Sequence, residues 1–149
     1  MYKEIIKVEK LIFRSKWNNE DAPYLREKLI EYNMQFLSNK EIAFVNEEVC
    51  ITVHDEKGSI LGGISGNTKL HCLFIQFLWI DESLRGKGIG AKLLKTIEEL
   101  AIEKGCKMVR LDTFSFQAPE FYKKQGYEVY GTVEDFPEGY THYMLLKRV

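Results

Sequence analysis

The chain has 149 residues, 45% of them hydrophobic and 29% charged, with a formal net charge of −1. That length suits one domain, residues 1–149, that can bury a core without staples, and a near-neutral chain with no basic run argues against nucleic acid as a partner. No stretch has the length of a membrane span or the long apolar core of a signal peptide, so no membrane partner is expected and the expected compartment is the cytoplasm. Cys50, Cys72 and Cys106 are odd in number, far apart and flanked by strand-like residues. They read as reduced core cysteines, with neither a disulfide framework nor a metal site.

In chain order, Glu4 to Phe13 is rich in β-branched residues and predicts a first strand, broken by Ser15 to Asn19. Asp21-Ala22-Pro23 predicts a helix start, with Asp21 as the capping acid and proline in the first turn. Tyr24, Leu25, Leu29, Tyr32, Phe36 and Leu37 would share one face, and a break near Asn33 would divide the helix in two. Ile42 to Val45 reads as a short strand or a lead-in segment. Val49 to His54 and Ser59 to Ser65 flank a turn signal, Asp55-Glu56-Lys57-Gly58, and so predict a hairpin. Gly62 and Gly63 imply a bulge or a close approach in its second strand. After Gly66-Asn67, Leu73 to Ile80 (LFIQFLWI) is the central strand.

A glycine-rich stretch, Arg85-Gly86-Lys87-Gly88-Ile89-Gly90, follows that strand. Leu93, Leu94, Ile97, Leu100 and Ala101 then recur at spacings of three and four, predicting a helix with one buried stripe. Lys92, Lys95, Glu98, Glu99 and Glu103 fall mostly off the stripe, and Gly105 is placed to cap its C-terminus. Strand, glycine turn and helix together make an anion cradle: the backbone can approach closely, and unsatisfied N–H groups at the helix start point at the ligand. Neither a nucleotide P-loop nor a dinucleotide fingerprint fits, because Lys87 lies between glycines with no Ser or Thr after it and the third glycine is one residue early. Met108 to Asp112 is a short buried strand, and the helical crossover before it makes it parallel to the central one. Ala118 to Gln125 predicts a short helix ended by Gly126. Tyr127 to Val133, the turn Phe136-Pro137-Glu138-Gly139, and Thr141 to Lys147 complete a mixed α/β chain.

Two motifs carry a family resemblance. Arg85, Gly88 and Gly90 match the pattern Arg/Gln-x-x-Gly-x-Gly/Ala, and Ile80 to Arg85 is similar to Val-Asp-Pro-x-x-Arg, with Glu82 in place of the proline. Ala118, Phe121, Tyr122, Gly126 and Tyr127 match Ala-x-x-Phe/Leu-Tyr-x-x-x-Gly-Phe. In that order and spacing the chain resembles the GNAT superfamily of N-acetyltransferases over about half its length, from His71 onward. The resemblance implies a mixed, mainly antiparallel sheet, flanked by helices and splayed in a V between the fourth and fifth strands. It also implies acetyl-coenzyme A as co-substrate and no metal. The pantetheine arm would bond to Leu78, Trp79 and Ile80, and the pyrophosphate to the amides of Arg85, Gly86, Lys87, Gly88, Ile89 and Gly90.

Acetyl transfer to an amine needs a neutral nitrogen, a donor for the carbonyl oxygen and a proton for the departing thiolate. The resemblance makes Tyr122 the general acid; from the residues alone, a core aromatic with a satisfied hydroxyl is the other reading. Many relatives carry a glutamate on the central strand, where this chain offers only Gln76, an orienting group that cannot take a proton at neutral pH. His71 lies at that strand's beginning. An asparagine that many relatives use to contact the cofactor is Ser115 here, with Gln117 nearby, and either could donate in its place. Tyr32, Asn33 and Asp112 are the candidate substrate contacts; the acidic turn Glu134, Asp135 and Glu138 could attract a cationic amine, but reads better as a solvated turn. The expected partner is a small-molecule or peptide primary amine, and the apolar closing strand would suit a homodimer. The competing function is a coenzyme A-binding sensor or subunit that has lost turnover.

Overall fold

The computed structural model describes residues 4–8, 11–37 and 46–149. The chain divides into two compact units, Met1–Lys40 and Glu41–Val149.

In the first unit, β1 (Glu4–Val8) pairs antiparallel with β2 (Leu11–Arg14), Val8 opposite Leu11 and Glu4 opposite Arg14. The single strand expected over Glu4 to Phe13 is therefore a hairpin; the run holds no Gly, Pro, Asn or Asp to signal a reversal. Helix α1 spans Asp21–Asn33. Glu20, not Asp21, occupies the N-cap, its backbone N–H donating to Asn18 Oδ1 at 2.9 Å, so Asp21 acts as a first-turn acid favoured by the helix dipole. The helix ends at Asn33, where a break was expected, and a turn follows. The segment Ile42 to Val45 lies outside the described residues.

The second unit is a six-stranded sheet in the order β3-β4-β5-β6-β8-β7, made of β3 (Glu47–His54), β4 (Ile60–Lys69), β5 (Cys72–Ile80), β6 (Met108–Phe114), β7 (Glu128–Glu134) and β8 (Thr141–Arg148). Every neighbouring pair is antiparallel except β5 and β6, which the crossover helix α2 (Ile89–Glu103) makes parallel. Leu93, Leu94, Ile97 and Ala101 of α2 pack on Ile64, Leu73, Ile75, Val109, Leu111 and Leu145 of the sheet, so the predicted stripe is the core. A short helix α3 (Pro119–Lys124) follows β6.

Three expectations need correction. The turn between β4 and β5 is at Leu70-His71, both in the left-handed region (φ 53° and 58°), and Gly66-Asn67 continues the strand. Gly66 is needed there for closeness: a Cβ would press into the Phe74 carbonyl oxygen, where the β4–β5 register slips. Cys50 is exposed, because β3 alternates and Val49, Ile51 and Val53 take the inward positions; only Cys106 is fully buried. Glu98, expected on the solvated face, is 8% exposed: its Oε1 accepts from the Tyr127 hydroxyl at 3.0 Å and its Oε2 from Lys147 Nζ at 2.8 Å.

The sheet opens where the resemblance implies. β5 and β6 pair only from Cys72–Met108 to Ile75–Leu111. Beyond that point β5 keeps β4 as its neighbour as far as Ile80, and β6 keeps β8 as far as Phe114. Gln76 is the extra residue at this opening, since Gly66 faces Ile75 and Ser65 faces Phe77. A bulge bends and twists the strand that carries it, which favours divergence from β6.

Candidate active site

The loop after β5 is built from its own hydrogen bonds. Asp81 caps a single 3-10 turn, Glu82–Leu84, by accepting from the Ser83 N–H at 2.9 Å. Hydrogen bonds from the Ser83 hydroxyl and then its N–H hold the Asp81 carboxyl below the usual aspartate range. Arg85 Nε donates to the Ile80 carbonyl at 3.2 Å, folding the arginine back along the strand end. Gly86 and Gly88 then take φ values of 75° and 76°, a region that costs other L-residues steric strain. Gly88 is the N-cap of α2, and the helix's first intrahelical bond runs from the Lys92 N–H to the Gly88 carbonyl. The amides of Ile89, Gly90 and Ala91 precede that bond and have no carbonyl within the helix to receive them.

The second motif has an equally physical reason for its spacing. Helix α3 has Pro119 in its first turn, where no hydrogen bond is sacrificed, and ends at Gly126 (φ 91°). The Gly126 N–H reaches the Lys123 carbonyl and the Tyr127 N–H reaches the Tyr122 carbonyl, both at 3.1 Å. These are the two bonds of a Schellman cap, which also brings the side chains of its outermost residues together. The rings of Tyr122 and Tyr127 accordingly meet at 6.0 Å and 73°. Tyr-x-x-x-Gly-Tyr is thus a device that fixes Tyr122 against a buried anchor.

Strand end, loop and α3 enclose one cleft of about 820 Å³. Of the predicted residues it brings together Leu78, Trp79, Ile80, Arg85, Gly86, Gly88, Ile89, Gly90, Gln117 and Tyr122. Lys87, Ser115, Gln76 and Asp112 are not in its wall. Ser115 is a structural tie: its Oγ accepts from the Thr141 N–H at 3.0 Å and its own N–H donates to the Thr141 carbonyl at 2.8 Å. Gln117 Oε1 accepts from the Phe114 N–H at 2.9 Å and the Thr113 hydroxyl at 3.2 Å, an arrangement that uses the amide's acceptor and leaves its NH₂ for other partners. Gln76 is exposed at the bulge. Asp112 is the first β6 residue beyond the β5 pairing. His71 is at the far end of β5, its Nδ1 3.3 Å from the Gly105 carbonyl, in a structural role. Tyr32 and Asn33 form the end of α1 in the first unit.

The cleft also recruits Leu84, Thr113, Phe116 and Phe121, which motif reading did not assign to it. Phe116 was the most visible of these in principle, as a large aromatic in a loop; it is 56% exposed and stacks on Phe114 at 5.2 Å. Tyr122 packs against the core from the other side, and burial raises its phenol above the ordinary tyrosine value. Among the described residues nothing hydrogen-bonds the Tyr122 hydroxyl, whereas that of Tyr127 is engaged by Glu98. Coenzyme A suits this wall: left-handed glycines and free amides can meet a pyrophosphate, and the edge of β5 that β6 leaves can meet the amides of a pantetheine arm.

Among the described residues no helix is long and apolar enough to cross a membrane. The acetyltransferase (GNAT) family model matches residues 3–127. The chain is 36% identical over 95 residues to blasticidin-S acetyltransferase of Streptomyces morookaense, a match that covers 63% of this chain and 70% of that one. It is 31% identical over 124 residues to acetyltransferase Atu2258 of Agrobacterium fabrum, covering 83% and 88%. A crystal structure of an acetyltransferase from Bacillus cereus superimposes with a TM-score of 0.83 at 46% identity, covering 91% of this chain and 96% of that one. With the splayed sheet, the glycine cradle and the Tyr122 motif in one cleft, the chain belongs to the acetyltransferase (GNAT) family.

Proposed function

We propose that the chain is an N-acetyltransferase that moves an acetyl group from acetyl-coenzyme A to a primary amine by direct attack in a ternary complex. The observation that carries this reading is Tyr122, half-buried in the cleft wall with a hydroxyl that no described residue engages. Acetyl-coenzyme A supplies the activated acetyl group when bound. The amides from Gly86 to Gly90 bind its pyrophosphate, while the Arg85 N–H, expected to join them, is taken by the Glu82 carbonyl at 3.3 Å; the open edge of β5 from Leu78 to Ile80 aligns its arm. Tyr122 donates its phenolic proton to the sulfur as the carbon–sulfur bond breaks. A phenol is protonated throughout the neutral range and burial raises this one further, so the donor is loaded. With Gln76 unable to accept a proton, and exposed outside the cleft wall where it cannot orient the amine, the amine's proton leaves through water.

Tyr122→Phe tests the role. Coenzyme A affinity by calorimetry should stay within about twofold, while turnover with a good amine, followed by thiol release, should fall by roughly 10²-fold. Equal turnover in the two proteins would remove Tyr122 from the chemistry.

A further inference from the structure

On the sheet face opposite α2, just beyond the last β5–β6 pair, Asp112, Phe114 and His142 form a cluster that the reaction as described does not use. Leu111 and Thr113 point towards α2 and are buried, so Asp112 and Phe114 alternate to the other face. Register places His142 opposite Phe114 and therefore on that same face. His142 is 9% exposed, with its ring 5.0 Å from Phe114 and 5.2 Å from Phe136. Its Nδ1 is shut away from solvent without a partner, and its Nε2 is 3.4 Å from Asp112 Oδ2. A buried N–H without an acceptor is rarer than a buried lone pair without a donor, so the ring proton belongs on Nε2, facing the carboxylate. Among the described residues no donor other than the His142 ring comes within reach of the Asp112 carboxylate, whose side chain is 37% exposed. The neighbouring cation, Arg110, is committed to the Tyr130 hydroxyl at 2.9 and 3.1 Å.

A carboxylate 3.4 Å from a buried ring, beside aromatic faces and one residue from the cleft wall at Thr113, is suited to a cation. The nitrogen that attacks a thioester must be neutral, and a carboxylate against it would hold it as an ammonium. The charge met at Asp112 therefore belongs to a different group of the acceptor. We propose that Asp112, positioned by His142, binds a second cationic group of the acceptor, so that the preferred substrates are amines carrying an additional positive charge. This rests on the N-acetyltransferase reading and narrows its substrate class.

The test compares 1,4-diaminobutane with 4-amino-1-butanol, which differ in one charged end, by calorimetric titration of the coenzyme A-saturated protein. The diamine should bind roughly 10- to 100-fold tighter, the range of one charge-assisted hydrogen bond. Asp112→Asn should erase that preference, Asp112→Glu should keep part of it, and His142→Phe, which retains the aromatic packing, should weaken diamine binding several-fold and leave the amino alcohol unchanged. Equal binding of the two probes by the native protein, absence of diamine binding, or a preference that survives in Asp112→Asn would overturn the proposal. Thiol release from acetyl-coenzyme A separates the two readings: selective diamine binding without thiol release from any amine would refute acetyl transfer while leaving the cation site standing.

Discussion

Glu98→Ala should destabilise the protein by about 2–4 kcal/mol, and the amount can be worked from three contacts. Tyr127 is 3% exposed and its hydroxyl has Glu98 as acceptor at 3.0 Å; with that acceptor gone, a buried donor is left unsatisfied, at about 1–3 kcal/mol. Lys147, bonded to the same carboxylate at 2.8 Å, keeps 30% of its side chain in water and can rehydrate, so its share is small. The truncated methylenes add about 1 kcal/mol of lost packing, offset by a few tenths from alanine's helix propensity. At about 3 °C per kcal/mol for a chain of this size, the thermal midpoint should fall by about 6–12 °C. Tyr127→Phe alone should cost only about 1 kcal/mol, because Glu98 retains Lys147. In the Tyr127→Phe background, Glu98→Ala should then cost about 1–2 kcal/mol, leaving a coupling of at least about 1 kcal/mol. Scanning calorimetry of the four proteins measures the cycle. Additivity within about 0.4 kcal/mol would refute the network as the source of the stability.

Tyr122 and Tyr127 both have phenols raised above the ordinary value, by burial first and, for Tyr127, by the Glu98 charge next. The folded chain then holds protons that the unfolded chain releases, so their contribution is fully present below about pH 10 and is lost above it, at up to about 1.4 kcal/mol per pH unit for each tyrosine. Urea denaturation at pH 9 and pH 11 should show that loss, and it should be smaller in Tyr127→Phe; identical losses would contradict it. Gly66→Ala should lower stability by about 3 kcal/mol or more, because its Cβ meets backbone at Phe74, whereas Gly131→Ala meets only the mobile end of Met144 at 2.5 Å and should cost under about 1 kcal/mol. Similar thermal midpoints for these two variants would sink the distinction. Amides of residues 76–80 that point away from β4 should exchange with solvent hydrogen rapidly in the free protein and slow on adding coenzyme A; unchanged rates at saturation would remove β5 from the binding site.

The elements most legible in the sequence were those whose periodicity and punctuation agree. The stripe Leu93, Leu94, Ile97 and Ala101 became the buried face of α2, and Gly105 caps it through the Cys106 N–H to Ala101 and its own N–H to Ile102. Where punctuation was missing or misleading, reading failed for identifiable reasons. Leu70 and His71 turn a hairpin with two positive φ values and neither is a usual turn residue, so Gly66-Asn67 took their place in the reading. Glu98 was placed off the stripe with the other charged residues, although it lies four residues after Leu94 and three before Ala101, where α2 faces Tyr127 and Lys147; its two partners come from 29 and 49 residues further on. Long-range pairing of that kind leaves no local trace.

The candidate site shows the same division. Its loop was legible from the glycines themselves, as an anion cradle, and its tyrosine through the resemblance; backbone geometry that only certain residues allow underlies both motifs, left-handed φ at Gly88 and the Schellman cap at Gly126. The opening of the sheet was legible only through resemblance. Its local cause is one extra residue, Gln76, at the place where β5 loses β6, and nothing in LFIQFLWI distinguishes a bulged strand from a straight one. An unpaired strand edge inside a sheet would ordinarily be a liability, because it exposes backbone donors and acceptors that must find partners. A bulge that creates such an edge facing the glycine cradle and Tyr122 therefore makes sense if a ligand with peptide-like amides completes the pairing. On this argument Gln76 shapes the site through its backbone, so Gln76→Ala, which keeps the bulge, should disturb cofactor binding less than a deletion of Gln76 that restores regular β4–β5 pairing. Equal loss of coenzyme A affinity in the two variants would return the role to the side chain.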